Sequence, residues 1–349
     1  MLKLLTALAL TSVHGLIVNR SVGLVSYRQH KNSNEKCIFM SLRGLARKSK
    51  ESEIALFKAS LHESSPDSAV WKYMEEGSSD SHKYLRPKVL SDSIRKMPGT
   101  LSVISEYRRN MKSGFVTSIL EPEIMSPMFR EGGASAVAVA IDKNYGGCNE
   151  SDAMKIFEEQ KTAANDFPPS LPIVVRDLVV DPIQIAYAKS LGAVSITLLF
   201  NLVEKAKIKL FLDFAGALNM ECVVQVSSEE EIKEAIELGS TIVSITGKSL
   251  QEAIDLKKMI PDDVAAVIQV DRRSDEGLEE IEDCWKLRDA GFNSIWASEI
   301  LYKAGQMQSE SVTAIIKAIR AKGSVKYGRA RGMSGKGEGA KEFLGTLET

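Results

Sequence analysis

Histidine is absent after residue 82: the four in the chain are His14, His30, His62 and His82. Chemistry carried by later residues therefore runs without imidazole, which excludes Ser-His-Asp triads and His-ligated metals there. Cysteine is equally scarce. Cys37, Cys148, Cys222 and Cys284 lie far apart with no CxxC pair, so they read as buried free thiols, not as a disulfide framework or a zinc site. Neither sign of charge dominates, since 45 Lys+Arg against 46 Asp+Glu leave a formal net charge of -1. Without a concentrated positive field, no nucleic-acid partner is expected. The glycines from Gly335 to Gly339 lack both a preceding strand and a Gly-Lys-Ser/Thr, which excludes a phosphate loop.

What remains is globular: 349 residues, 44% apolar and 26% charged, enough for one large α/β domain with extensions. The start, "MLKLLTALALTSVHG" (1–15), has the grammar of a signal peptide, and a buried N-terminal helix is the alternative. Its apolar stretch is too short for a stable membrane span. Residues 16–50 carry eight Lys or Arg and one acid, Glu35. Behind a signal, such a segment reads as a transit peptide, and the two together predict a plastid, with mitochondrial or secretory destinations as alternatives. Residues 51–96 are expected to form a loose helical extension and linker, "SEIALFKASL" being the clearest helix.

From Leu101 the chain alternates short apolar runs with helical patterns. The runs are 101–107, 135–141, 172–176, 194–200, 221–226, 241–246, 264–270 and 293–298. Apolar character without alternation means burial on both faces, as in a parallel sheet. Ser228 before three glutamates caps one helix, and Gly192, Gly239 and Gly291 end others just before a strand. Eight such units predict an α/β fold, a (β/α)8 TIM barrel over 97–322, with the tail 323–349 beyond it. An open doubly wound sheet would need a Gly-rich dinucleotide fingerprint after a strand, and none is present.

The stretches "PGTLSVISEYRR" (98–109), "EGGASAVAVAID" (131–142), "VVRDLVVDPIQIAYAKSLGA" (174–193) and "VVQVSSEEEIKEAIELGSTIVSIT" (223–246) closely resemble the indole-3-glycerol-phosphate synthase family. The resemblance implies decarboxylating ring closure of a carboxyphenylamino-deoxyribulose phosphate in tryptophan synthesis. It implies a cationic acid, carboxylates and a phosphate grip, and neither a metal nor an organic cofactor.

Carried over position by position, the pattern is mostly replaced. The family's first-strand glutamate is kept as Glu106, but its lysine is Arg108, and the Ser-Pro-Ser that follows gives way to "NMKSG" (110–114). The third-strand lysine that acts as general acid is Arg176, beside a retained Asp177. The fifth-strand glutamate is Gln225, and Asn-Asn-Arg reads Thr246-Gly247-Lys248. The seventh-strand Ser-Glu-Ser-Gly becomes Ile268-Gln269-Val270-Asp271, and the eighth-strand Gly-Glu-Ser becomes Ser298-Glu299-Ile300. A guanidinium stays protonated and hardly donates a proton, and glutamine cannot exchange one. Val270, Asp271 and Ile300 put branched apolar side chains and a negative charge where a phosphate would sit.

The expectation is thus a family barrel that does not catalyse the family reaction and serves binding or assembly; if it turns over, it is a carbon–carbon carboxy-lyase. Glu106, Arg108 and Arg176 are expected to form a structural ion-pair cluster; the alternative is that Arg108 and Arg176 make a pocket for a different anionic small molecule, to which Arg272 and Arg273 could add. The glycine-rich tail is expected either to be a flexible end or to dock on a protein partner through Phe343 and Leu344.

Overall fold

The computed structural model describes residues 42–321, apart from 66–67, 80–86, 97–98, 112–113, 116–120, 143–145, 272–277 and 303–308. The signal-like stretch 1–15, the tail 323–349, and Arg272 and Arg273 lie outside the described residues. Eight parallel strands close into a barrel: β1 (Ser102–Tyr107), β2 (Ala136–Ala140), β3 (Ile173–Arg176), β4 (Ser195–Leu199), β5 (Glu221–Val226), β6 (Ile242–Ile245), β7 (Ala265–Val270) and β8 (Ser294–Ala297). β1 pairs with β8 in the register Ser102↔Ser294, which seals the ring. All eight expected runs became strands because their side chains are shut off from water on both faces; β1, β2 and β5 are buried at every position.

Three helices precede the barrel: α1 (Leu42–Ser64), α2 (Ala69–Ser78) and α3 (Val89–Ile94). The ring helices are α4 (Pro122–Gly132), α5 (Glu150–Thr162), α6 (Pro182–Leu191), α7 (Lys205–Ala217), α8 (Glu229–Glu237), α9 (Leu250–Lys257), α10 (Leu278–Asp289) and α11 (Ser309–Arg320). Their boundaries follow local chemistry. Asp181 caps α6, accepting from the Ile183 N–H at 3.0 Å, with Pro182 in the first turn. Gly192 ends α6 at φ +98°, a left-handed conformation that costs a residue with a Cβ but not glycine.

The barrel interior is a separate apolar cluster in which Ile104, Val174, Val223, Ile242, Val267 and Trp296 meet the small Ala136, Ala138 and Ala265. Helix α3 closes the amino-terminal end by adding Leu90 and Ile94, both fully buried, to this cluster. Its first turn is satisfied from β5, where Glu221 Oε2 accepts from the N–H groups of Leu90 (2.6 Å) and Ser91 (3.0 Å). Cys148, Cys222 and Cys284 are buried free thiols, as their spacing predicts. Among the described residues no helix is long and apolar enough to cross a membrane.

One boundary differs from the sequence expectation. Helix begins at Leu42, so residues 42–50, read as the end of a transit-peptide-like segment, continue without a break into the helical extension. Composition alone hides this because the exposed face of α1 carries the basic residues Arg43 and Lys48. The face toward the barrel is marked by spacing: Lys50, Ile54, Phe57 and Leu61 recur at helical intervals and turn inward.

Candidate functional site

The carboxyl ends of the strands bring together six of the ten expected site residues. Glu106, on β1, is fully buried at the floor of the mouth. Its Oε2 accepts from Arg176 Nη1 at 2.7 Å and from the Trp296 indole N–H at 2.9 Å. Arg176, at the end of β3, lies with its guanidinium carbon 5.6 Å from the centre of the Trp296 ring. Its other arm donates to Gln269 Oε1 on β7 at 3.1 Å, and the Gln269 amide donates onward to Asp271 at 2.8 Å. Arg108 approaches the second oxygen of Glu106 at 4.0 Å. It also donates to the Asn110 carbonyl at 2.6 Å and, at 3.5 Å, to the hydroxyl of Ser298.

The network therefore runs Trp296, Glu106, Arg176, Gln269, Asp271, the first three buried and the last two half-buried. Burial by itself would raise the Glu106 carboxyl, but the Arg176 and Arg108 guanidiniums outweigh it and hold that group below its ordinary value. Glu106 is thus a committed anion. Arg176 is only 5% exposed and committed to it.

The other four expected residues do not join this network through the contacts described. Gln225 sits near the end of β5, buried, and its Nε2 has no hydrogen-bond partner among the described residues. Thr246, just past β6, turns its hydroxyl back to the Val226 carbonyl at 3.4 Å. Val270, at the end of β7, and Ile300, in the short 3-10 turn Glu299–Leu301 after β8, are buried apolar groups packed into the core. Among the described residues no group of three or more His, Cys, Asp or Glu is placed to hold a metal ion.

Two features of the mouth escaped the sequence reading. Trp296 is the largest fully buried side chain in the described structure, and it fills the floor. The second is Lys50. Its ammonium reaches Asp142, just past β2, at 2.6 Å and Asp177, just past β3, at 2.8 Å, with Glu53 of its own helix at 3.0 Å. A lysine does enter the mouth, then, but from α1 and not from β3. Burial works against its charge, yet Asp177 and Asp142 prevail and hold the ammonium above its ordinary value. With one cation serving two acids, burial prevails at Asp177, whose carboxyl is raised despite Lys50.

The Asp181-Pro-x-Gln184 motif has a visible purpose. Gln184 accepts from the N–H groups of Val180 (2.8 Å) and Asp181 (3.2 Å) and donates to Asp177 Oδ2 at 2.6 Å. It stiffens the loop that presents Asp177. The Leu178 N–H adds a further bond to Asp177 Oδ1 at 2.8 Å.

A closed (β/α)8 barrel with its polar groups gathered at the carboxyl ends of the strands has the architecture of the barrel enzymes. Within that class, the model of one family, described as Indole-3-glycerol phosphate synthase, matches residues 72–318, and the chain belongs to that family. An indole-3-glycerol phosphate synthase of Leptospira interrogans is 30% identical over 180 residues, 51% of this chain and 67% of that protein. One from Shouchella clausii is 25% identical over 230 residues, 63% and 84% of the two chains. A crystal structure of tryptophan synthase from M. tuberculosis superposes with a TM-score of 0.50 at 11% identity, over 67% of this chain and 98% of that one. At that identity the likeness speaks for the fold alone.

Proposed function

We propose that this family barrel no longer catalyses the ring closure and serves in a plastid as a binding or assembly subunit. The observation that carries the proposal is the Arg176–Glu106 pair. At the position of the family's proton-donating lysine stands a guanidinium that does not discharge, bonded at 2.7 Å to the carboxylate kept from the family pattern. Gln225 and Gln269 cannot exchange protons, and each lost general acid or base typically costs about 10²–10⁴ in rate. Trp296 and Ile300 add bulk at the floor and rim, both essentially without solvent contact. The plastid is inferred from the signal-like and basic segments at the start, and the tail 323–349 supplies the candidate docking segment.

The direct test incubates purified protein with the carboxyphenylamino-deoxyribulose phosphate and follows indole formation by fluorescence. No turnover above the uncatalysed rate is expected, and no growth of a tryptophan auxotroph supplied with the gene. Turnover like that of an ordinary family synthase would overturn the reading. The assembly half of the proposal is tested by native capture from the source tissue, where recovery as a lone monomer would count against it.

A second reading, an active synthase in which arginine has taken over the electrostatic work, is favoured by the retained Glu106 and Asp177, both at strand ends of the mouth. The same turnover assay separates the two.

A further inference from the structure

Helix α1 touches the barrel in an uneven way. Individual side chains make the connection. Toward its carboxyl end, Ile54 is buried, the Phe57 ring meets Tyr187 of α6 edge-on at 5.2 Å, and Lys58 pairs with Asp181 at 2.7 Å. Toward its amino end, Arg43, Leu45, Lys48 and Ser49 are exposed, Leu45 at 47%, and the first buried residue is Lys50. Between the exposed positions Gly44, Ala46 and Arg47 are half-buried, and the first fully buried group among the described side chains of α1 is one ammonium set into two acids that follow different strands.

Those acids matter for what lies below. Asp177 is the chain neighbour of Arg176, and Asp142 follows β2. With Lys50 seated, both aspartates are buried, at 7% and 3% exposure. We propose that α1 is a strap latched across the barrel mouth by Lys50, and that the Asp142–Asp177 pair is a seat for a primary ammonium which Lys50 occupies from within the chain. Opening the latch frays α1 from its amino end and bares the seat. A short helix without tertiary contacts is marginal in water, so a freed opening segment does not hold its own structure. The inference rests on the latch geometry and holds whether or not the barrel turns over substrate.

The test is hydrogen exchange, read by mass spectrometry on the full chain, of wild type and Lys50→Ala. Amides of residues 43–54 are expected to exchange about a hundredfold faster in the variant, since losing one partner of a buried ion pair leaves the other uncompensated, while amides of β1–β8 keep their protection. Propylammonium, which fits the space and charge vacated by the lysine side chain, is expected to restore protection. Tetramethylammonium at equal ionic strength, which has the charge but no N–H to donate, is expected not to. Unchanged exchange over 43–54, or equal rescue by both cations, would overturn the proposal. Should Lys50→Ala fail to give a native circular dichroism spectrum, Asp142→Asn takes its place, leaving the ammonium Asp177 and Glu53. About tenfold faster exchange over the same residues is then expected, and no change refutes the latch.

Discussion

Replacing Arg176 with methionine separates a structural lock from a ligand-binding arginine. Methionine keeps an unbranched stem of similar reach and remains compatible with the Trp296 face, so packing changes little while the charge disappears. Glu106 would then be an anion with no solvent contact, having lost its 2.7 Å partner and keeping the Trp296 N–H, the Ser298 hydroxyl and the more distant Arg108. Removing one side of a buried pair typically costs about 3–5 kcal/mol. For a domain of this size that lowers the melting temperature by roughly 10 °C. Gln269 Oε1 also loses its donor, which pushes the cost toward the upper end. The assay is urea unfolding of Arg176→Met, Glu106→Gln and the double variant. If the pair is a lock, the double variant recovers most of the loss and the coupling is at least about 2 kcal/mol. A cost under about 1 kcal/mol, or a gain in stability, would refute this reasoning. An arginine that can be removed without loss is one kept ready for a ligand, as stability–function trade-offs lead one to expect.

Two further outcomes follow from the same geometry. Restoring the family side chains together (Arg176→Lys, Gln225→Glu and Gln269→Glu) is expected to leave ring closure undetectable in the fluorescence assay, because Trp296, Val270, Asp271 and Ile300 remain; recovery of turnover would show that the rest of the mouth still accepts substrate. The stability advantage of wild type over Glu106→Gln is expected to be fully present above the ordinary glutamate pKa of about 4.3 and to shrink as pH falls through the lowered folded value, since a depressed carboxyl contributes stability only while ionised. Urea unfolding between about pH 3 and 7 checks the sign, and an advantage that grows on acidification would contradict it.

The barrel was legible because its determinants are local. A strand buried on both faces must be apolar throughout, and Val137, Val139, Val223 and Val224 show that burial directly. A helix that must stop before a strand needs a residue tolerant of positive φ, and glycines 192, 239 and 291 supply it. The identities at the mouth were also legible, residue by residue, from the resemblance. Their partners were not. Arg176 finds Glu106 across 70 residues of sequence, and Lys50 finds Asp142 across 92. No window on the chain contains either pair. Lys50 was further disguised as one basic residue among eight in a segment poor in acids. The surviving signal was spacing, since Lys50 falls on the same helical face as Ile54, Phe57 and Leu61. Trp296 left a fainter trace: a very large side chain on β8 of a barrel whose interior positions include Ala136, Ala138 and Ala265.

The mouth is best understood by asking what each charge there meets. A site that waits for an anionic substrate keeps cations exposed to the space the substrate will enter, and their affinity for it is the larger for being uncommitted. Here Arg176 faces Glu106 and Gln269, and Lys50 faces Asp142 and Asp177. A ligand that claimed either cation would first have to separate a buried pair, and the acid left behind would oppose it. Ligands shift a conformational equilibrium only by their differential affinity for its two states. An anion entering the closed mouth gains one guanidinium contact by breaking another of the same kind, so its net advantage is small. An ammonium entering the Asp142–Asp177 seat faces the same kind of exchange, since it has to displace the Lys50 ammonium, but the two acids it meets are already gathered there. The two buried pairs thus answer to ligands of opposite sign: an anion competes with Glu106 for Arg176, and an ammonium competes with Lys50 for Asp142 and Asp177.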